Sequence, residues 1–253
     1  MEPRRPLVIA HRGASADHPE NTLTAFAVAA EVGADLVELD ARLTADGAVV
    51  VLHDPELERT TDARGLVHEV RLAQVKEADA SGGRGPREEV PTLGEVLELL
   101  EGTGTGVDVE IKNLPGEPSY RPGGDEIVEA VTEALEGFPG AGLITSFDPP
   151  TLRTAVEAAP DVPTGLLVLP GGELLGLDLA HEDGHRWLLP HAGVFDHGGD
   201  DLLDAAARLG IEVGTWTVDE EGQMERLFAR GLAAVATNRP ALAVAARERA
   251  LGT

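Results

Sequence analysis

Glu38 and Asp40 stand one residue apart in the run Leu36–Leu43, and theirs is the first spacing in the chain that could do chemistry. Side chains on a β-strand alternate with period two, so both carboxylates leave one face while Val37 and Leu39 leave the other. Downstream, Asp46-Gly47 is a strong turn dipeptide, and the β-branched run Val49–Leu52 leads to His53-Asp54. A hairpin closing at Gly47 returns His53 to the neighbourhood of Asp40. Two further strand-like runs end in reactive residues: Leu7–His11 runs into His11-Arg12-Gly13, and Val107–Lys112 carries Asp108, Glu110 and Lys112 on one face. If these runs are neighbours, Glu38, Asp40 and Glu110 repel one another unless a cation sits among them. Ligands that are all oxygen select a hard divalent ion, Mg²⁺ or Ca²⁺, over zinc. Three carboxylates and such an ion leave one net negative charge, and Arg12 with Lys112 turn it into one net positive charge, which suits a phosphodiester anion. Imidazole titrates near neutral pH, so His11 and His53 can supply a base for an attacking hydroxyl and an acid for a leaving alkoxide. The set suits metal-assisted phosphodiester cleavage.

The elements that must position these residues follow from alternation along the chain. Eight apolar runs read as strands: Leu7–His11, Leu36–Leu43, Val107–Lys112, Gly142–Phe147, Pro163–Leu169, Arg186–His191, Ile211–Val218 and Ala233–Asn238. Helical patterns lie between them at Leu23–Val32, Leu93–Leu100, Glu126–Glu136, Leu152–Ala158, Leu202–Leu209 and Met224–Ala229. Thr92 with Glu95 forms a capping box, and Asp148 before Pro149 is an N-cap with proline in the first turn. Alternating strands and helices imply βαβ units, and eight of them imply a closed TIM (β/α)8 barrel, expected as one domain over residues 1–253 with a small insertion after the second barrel strand. Val49–Leu52 is then an extra arm rather than a stave. Pro170 to Gly184 gives only a weak helix where the barrel requires cover. The rival, an open doubly wound sheet, lacks a G-x-G-x-x-G after any strand. Glycine- and proline-rich stretches at Ala80–Pro91, Leu114–Gly124 and Ala192–Gly199 fall where loops build the C-terminal face of a barrel, the face that carries active sites.

Composition narrows the partners. Hydrophobic residues make up 42% of the chain but aromatics only 3%, so Val, Leu, Ala and Ile must fill the core, as in a parallel sheet covered by helices. With no cysteine, thiolate metal sites and a cysteine nucleophile are excluded. The net charge of −25 opposes nucleic acid and anionic membranes, so an anionic substrate must be captured locally. The opening stretch MEPRRPLVIAHRG reads as neither signal peptide nor anchor, and a cytoplasmic location is the expectation.

Taken in order, HRG (11–13), PENT (19–22), ELD (38–40), HD (53–54), EIK (110–112), SFD (146–148), WTV (216–218) and TNRP (237–240) resemble the motifs of the glycerophosphodiester phosphodiesterase family. The resemblance runs from residue 7 to about residue 241. It implies a TIM barrel in which His11 and His53 are the general acid/base pair, Glu38, Asp40 and Glu110 hold the divalent metal, and Arg12 and Lys112 contact the phosphate. It further implies that Glu20 lines the pocket near the metal and that Phe147 and Trp216 contact the glycerol or leaving-group side. The implied substrate is a small glycerophosphodiester, cleaved to glycerol 3-phosphate and an alcohol. Attack by water and attack by a neighbouring glycerol hydroxyl through a cyclic phosphate both remain open. Two departures stand near the last strand: Ala233-Ala234 replaces a frequent Asp-Gly pair, and Asn238 stands where aspartate is frequent. Both are expected to affect packing more than catalysis.

Three other readings are weaker. His181-Glu182-Asp183-Gly184-His185 fits H-E-x-x-H, but that zinc pattern needs a helix through both histidines, which Gly184 and the adjacent acids disfavour, so a solvated turn is expected. His191 and His197 could approach the active-site mouth. A lysophospholipid or phosphoinositide substrate is disfavoured because the sequence shows no apolar rim or amphipathic helix for a membrane, and no stable membrane association is expected. A noncatalytic phosphate-binding barrel would normally lack one of the histidines or acids, and none is missing.

Overall fold

Each apolar run forms a strand whose hydrogen bonds are met by its neighbours in space. The computed structural model describes residues 5–196 and 198–252. Its strands are β1 (Leu7–His11), β2 (Leu36–Leu43), β3 (Val49–Val51), β4 (Gly106–Ile111), β5 (Gly142–Ser146), β6 (Thr164–Val168), β7 (Trp187–Pro190), β8 (Glu212–Thr215) and β9 (Ala234–Thr237). The helices are α1 (Leu23–Glu31), α2 (Leu72–Lys76), α3 (Leu93–Leu100), α4 (Asp125–Leu135), α5 (Pro149–Ala158), α6 (Glu173–Glu182), α7 (Asp200–Leu209), α8 (Glu221–Ala229) and α9 (Pro240–Leu251). Parallel pairing runs from β1 through β2, β4, β5, β6, β7, β8 and β9 back to β1, which closes an eight-stranded TIM barrel. The remaining strand, β3, pairs antiparallel with β2, Leu43 opposite Val49 and Ala41 opposite Val51, so Val49–Leu52 is the hairpin arm its turn implied.

Period two divides every stave. Outward residues such as Val8, Val37, Leu39, Val107, Val109 and Ile111 join the large core beneath the helices. Inward residues Ile9, Leu36, Leu143, Trp187, Leu189, Ala234 and Ala236 form a second apolar cluster that plugs the barrel. Trp187 fits because Gly165 stands beside it: a Cβ there would come within 2.6 Å of Leu189 Cδ1. Two residues further up β1, β2, β4 and β5 the inward positions turn polar, at His11, Glu38, Asp108 and Thr145. Register sets His11 opposite Glu38, Glu38 opposite Asp108, Asp40 opposite Glu110 and Glu110 opposite Thr145. An apolar floor therefore carries a layer of acids at the C-terminal mouth.

The capping signals hold. Thr92 Oγ1 accepts from the Glu95 amide at 3.2 Å while Glu95 Oε2 accepts from the Thr92 amide at 2.7 Å, and Asp148 Oδ2 accepts from the Thr151 amide at 3.1 Å. Besides the five-residue α2 in the insertion, two helices differ from expectation. The weak segment forms a full ten-residue α6. Its pattern is diluted by Gly176, which lets the helix lie close to β6: a Cβ there would meet Val168 Cγ2 at 2.6 Å. Helix α9 was not expected because its buried stripe contains Arg247, which donates to the Pro6 carbonyl at 3.0 Å and pairs with Asp35. The H-E-x-x-H segment is also not a solvated turn: α6 ends at Glu182, Gly184 takes φ +76°, and His185 is buried, its Nδ1 2.9 Å from Thr164 Oγ1. The insertion after His53 packs its own small core from Val50, Leu52, Leu57, Val67, Val75, Ala80 and Val90.

Candidate active site

Glu38, Asp40 and Glu110 meet at the mouth, where one oxygen from each lies within 4.8 Å of the others. All three are buried. Glu38 Oε2 accepts from the Arg12 amide at 2.8 Å, and Glu110 Oε1 accepts from Lys112 Nζ at 2.7 Å. Asp40 Oδ2 accepts from Asn21 Nδ2 at 2.7 Å and lies 3.1 Å from Arg12 Nε, while its Oδ1 lies 3.3 Å from Lys112 Nζ. Glu38 Oε1 has no hydrogen-bond partner among the described residues, and Asp40 Oδ1 has only the ion pair with Lys112. Orphaned buried carboxylate oxygens are costly, and oxygen-only donors arranged this way fit a hard divalent cation. Arg12 and Asn21, which touch these acids, are the non-glycine residues with left-handed backbone among those described, at φ +55° and +58°.

The acids do not ionise alike. Burial, with Asp40 and Glu110 close by, pushes Glu38 well above the ordinary carboxylate range. Burial also raises Glu110, although Lys112 opposes it. Burial would raise Asp40 too, but Lys112 and Arg12 hold it far below the usual range. Next to the triad, burial pushes Asp108 up to about 8 against a bond from Thr145 Oγ1 at 2.8 Å. The cluster thus keeps protons that a divalent cation would displace.

His11 and His53 flank the acids, and both line the same cavity of about 530 Å³ with Lys112, Phe147 and Trp216. Their outer partners fix their tautomers. His11 Nδ1 lies 2.7 Å from Asn238 Oδ1, and Asn238 Nδ2 donates to Asp219 Oδ2 at 2.6 Å. Since a carboxylate only accepts, the amide oxygen must face His11, and Nδ1 carries the proton. His53 Nδ1 lies 2.6 Å from Asp54 Oδ1 and carries a proton for the same reason. In each neutral ring Nε2 is the free acceptor. Burial lowers both histidines: Arg12 adds to this at His11, and Asp40 opposes it at His53.

Around this centre Glu20 bridges two guanidinium groups, accepting from Arg12 Nη1 at 2.9 Å and from Arg59 at 2.8 and 3.0 Å. It therefore stands outside the metal-ligand cluster, bracing Arg12. Arg59 also pairs with Asp54, and Arg42 donates to the His53 carbonyl at 2.8 Å while forking onto Glu117 at 2.7 and 2.9 Å. Phe147 packs edge-on to Trp216 with ring centroids 5.3 Å apart, and Trp216 Nε1 donates to the Leu189 carbonyl at 2.8 Å. His191 packs on the other side of Trp216 at 5.2 Å, and His197 lies outside the described residues.

All the sequence-predicted site residues gather at this mouth except that Glu20 acts at one remove. Sequence reasoning missed Asn21, Asp54, Arg59, Asp219 and the role of Asn238, although PENT, HD and TNRP contained three of them. Asn238 touches His11 directly. The absence of an apolar rim is also corrected. Leu169 lines the cavity, and it is exposed together with Leu174 and Leu175 on the first turn of α6.

The model of the glycerophosphoryl diester phosphodiesterase family matches residues 11–242. A glycerophosphodiester phosphodiesterase from Caldanaerobacter subterraneus subsp. tengcongensis is 35% identical over 241 residues, spanning 92% of this chain and 94% of that protein. A phosphodiesterase from Oleispira antarctica, solved in complex with the product sn-glycerol-3-phosphate, superposes with a TM-score of 0.84 at 31% identity, covering 95% of this chain and 96% of that one. A glycerophosphodiester phosphodiesterase from Thermotoga maritima gives a TM-score of 0.77 at 27% identity, covering 96% and 98%. With its barrel, its acid cluster and a family match over nearly its whole length, the chain belongs to the glycerophosphoryl diester phosphodiesterase family.

Proposed function

We propose that the protein is a divalent-metal-dependent hydrolase that cleaves glycerophosphodiesters to glycerol 3-phosphate and an alcohol. The observation that carries this reading is the buried triad Glu38, Asp40 and Glu110, with one Glu38 oxygen left without a partner, set between His11 and His53 beside Arg12 and Lys112. The relatives' names and the product held by the Oleispira protein support the substrate class. Mg²⁺ or Ca²⁺ held by the triad would neutralise phosphoryl charge and make the attacking hydroxyl more acidic. Lys112 and Arg12 hold the phosphate oxygens. His11, kept neutral by burial and by the neighbouring Arg12, takes the proton of the attacking hydroxyl at Nε2. His53, whose imidazolium is supported by the Asp54 carboxylate, gives a proton to the leaving alkoxide. Phe147 and Trp216 bound the organic part of the substrate. The reading includes a cytoplasmic site of action on a small molecule; among the described residues no helix is long and apolar enough to cross a membrane.

The test is a coupled assay of glycerol 3-phosphate release from glycerophosphocholine and glycerophosphoethanolamine, with Mg²⁺, with Ca²⁺ and with chelator. Activity is expected only with metal and to fall at least about 10²-fold in His11→Ala and in His53→Ala. Full activity in chelator, or in His53→Ala, would overturn the proposal.

A further inference from the structure

His53 stands past the end of the hairpin ladder that carries it. Pairing of β3 with β2 stops at Val51, and beyond it the Leu52 amide donates to the Asp40 carbonyl at 2.9 Å. The His53 carbonyl is held by a side chain instead: Arg42 Nε donates to it at 2.8 Å. Arg42 shares the face of β2 that carries Glu38 and Asp40, and it is 4% exposed. Its other two nitrogens fork onto Glu117 at 2.7 and 2.9 Å, so all three are engaged. Glu117 is itself fixed. It sits in the loop after β4, where its amide donates to the Leu114 carbonyl at 3.1 Å. Buried Asn113 closes that loop, donating to the Arg121 carbonyl at 2.6 Å and accepting from the Arg121 amide at 2.9 Å. Leu114 and Pro115 line the reacting cavity, whereas Arg42 lines a separate cavity of about 390 Å³ with Thr44, His68 and Arg121. Buried ion pairs add little net stability, so the fold alone does not account for this one.

We infer that Arg42 is a positioning residue: clamped by Glu117, it fixes the main chain of His53 so that the ring keeps its place between Asp54 and the leaving group. The inference rests on the proposed hydrolase reading, in which His53 gives the leaving alkoxide its proton. The geometry requires arginine. Nε meets the carbonyl along one edge of the planar fork while both Nη atoms face the carboxylate, so one side chain ties two segments together. A lysine ammonium is a single compact charge that reaches one partner or the other. The tie joins the segment bearing His53 to the loop whose Leu114 and Pro115 bound the substrate. Proton donor and pocket wall are thereby set in a common frame, and a displacement of about 1 Å in such a frame costs about 10²-fold in rate.

The experiment measures glycerol 3-phosphate release from glycerophosphocholine with metal in Arg42→Ala, Arg42→Lys and the double variant Arg42→Met/Glu117→Met. In all three, kcat should fall by about 10- to 10²-fold with KM within about threefold of the parent, the pattern of a displaced acid and not of a lost substrate contact. Exchanging both members of a buried ion pair for apolar residues preserves stability, so the double variant should keep the parent's Tm while its kcat stays low. Millimolar ethylguanidinium, entering through the second cavity, should restore kcat in Arg42→Ala, and ethylammonium should not. Nitrogen–proton correlation of the histidine rings reads the position of His53 without turnover, the residue being identified by its loss in His53→Gln. The parent should show the proton on Nδ1, and Arg42→Ala a mixture of tautomers. Arg42→Lys at the parent's rate, rescue by ethylammonium, or a rise in KM with kcat unchanged overturns the inference. So does a double variant that keeps full kcat, or one that loses Tm and kcat together. A parent that releases no glycerol 3-phosphate overturns the hydrolase reading instead, and the ring spectra then decide on Arg42: identical spectra remove it from the frame, and altered ones keep it there.

Discussion

Asp54→Asn should disable His53 by changing its tautomer. In the native site Asp54 Oδ1 lies 2.6 Å from His53 Nδ1, and Oδ2 accepts from Arg59 Nε. Arginine can only donate, so an asparagine at position 54 must turn its oxygen to Arg59 and its NH₂ to His53. Nδ1 then has to accept, which moves the neutral ring's proton to Nε2 and sets two donors face to face whenever the ring is protonated. The charge-assisted bond lost is worth about 1.5–3 kcal/mol, and partial exposure of both side chains argues for the lower half of that range. General acid-base catalysis contributes about 10²–10⁴-fold, so kcat should fall by about 10²-fold, equivalent to about 2.7 kcal/mol in the barrier. KM should change little. With His53 as the acid, the alkaline limb of the kcat profile moves to lower pH; a move of the acid limb instead would exchange the two histidines' roles. Arg59→Leu in the same background frees the amide to rotate and should recover part of the rate. Steady-state kinetics with glycerophosphocholine decide the matter: Asp54→Asn within about threefold of the parent, well short of the factor expected of acid-base catalysis, refutes the tautomer argument.

At the other histidine, Asn238→Leu leaves the buried Nδ1–H of His11 unpaired, which costs about 1–3 kcal/mol. Because the Asn238 bond raises His11, its loss should shift the acid limb of the pH–rate profile to lower pH while lowering the plateau; an unchanged profile removes Asn238 from the site. The metal-free protein should lose stability as pH rises. Burial holds Asp108 up to about 8 and raises Glu38 and Glu110, so the folded state binds more protons than the unfolded one across that window. Stability from these groups is then full below the ordinary carboxylate range and is lost as pH climbs towards about 8. Mg²⁺ or Ca²⁺ should restore Tm increasingly over the same interval, and calorimetry showing a metal shift independent of pH would count against binding at the triad.

Much of the barrel was legible because it depends on short-range rules. Period two put Glu38 with Asp40 and Glu110 with Lys112 on shared faces, and the turn at Asp46-Gly47 returned His53 towards them. Helix α6 was obscured by the glycine that lets it approach β6, and α9 by an arginine whose partners lie at the far end of the chain. The sequence by itself determined which residue types face the mouth, their order along the staves and hence the donor set for a divalent ion. Tertiary structure alone decided what stands behind them. Asn238 reaches His11 across 227 residues, and Arg59 reaches Glu20 across 39, so no local pattern could pair them or select a tautomer. Exposure was decided there too: Leu174 and Leu175 are ordinary helix residues in sequence, and the packing of α6 through Gly176, Leu177 and Ala180 leaves them exposed.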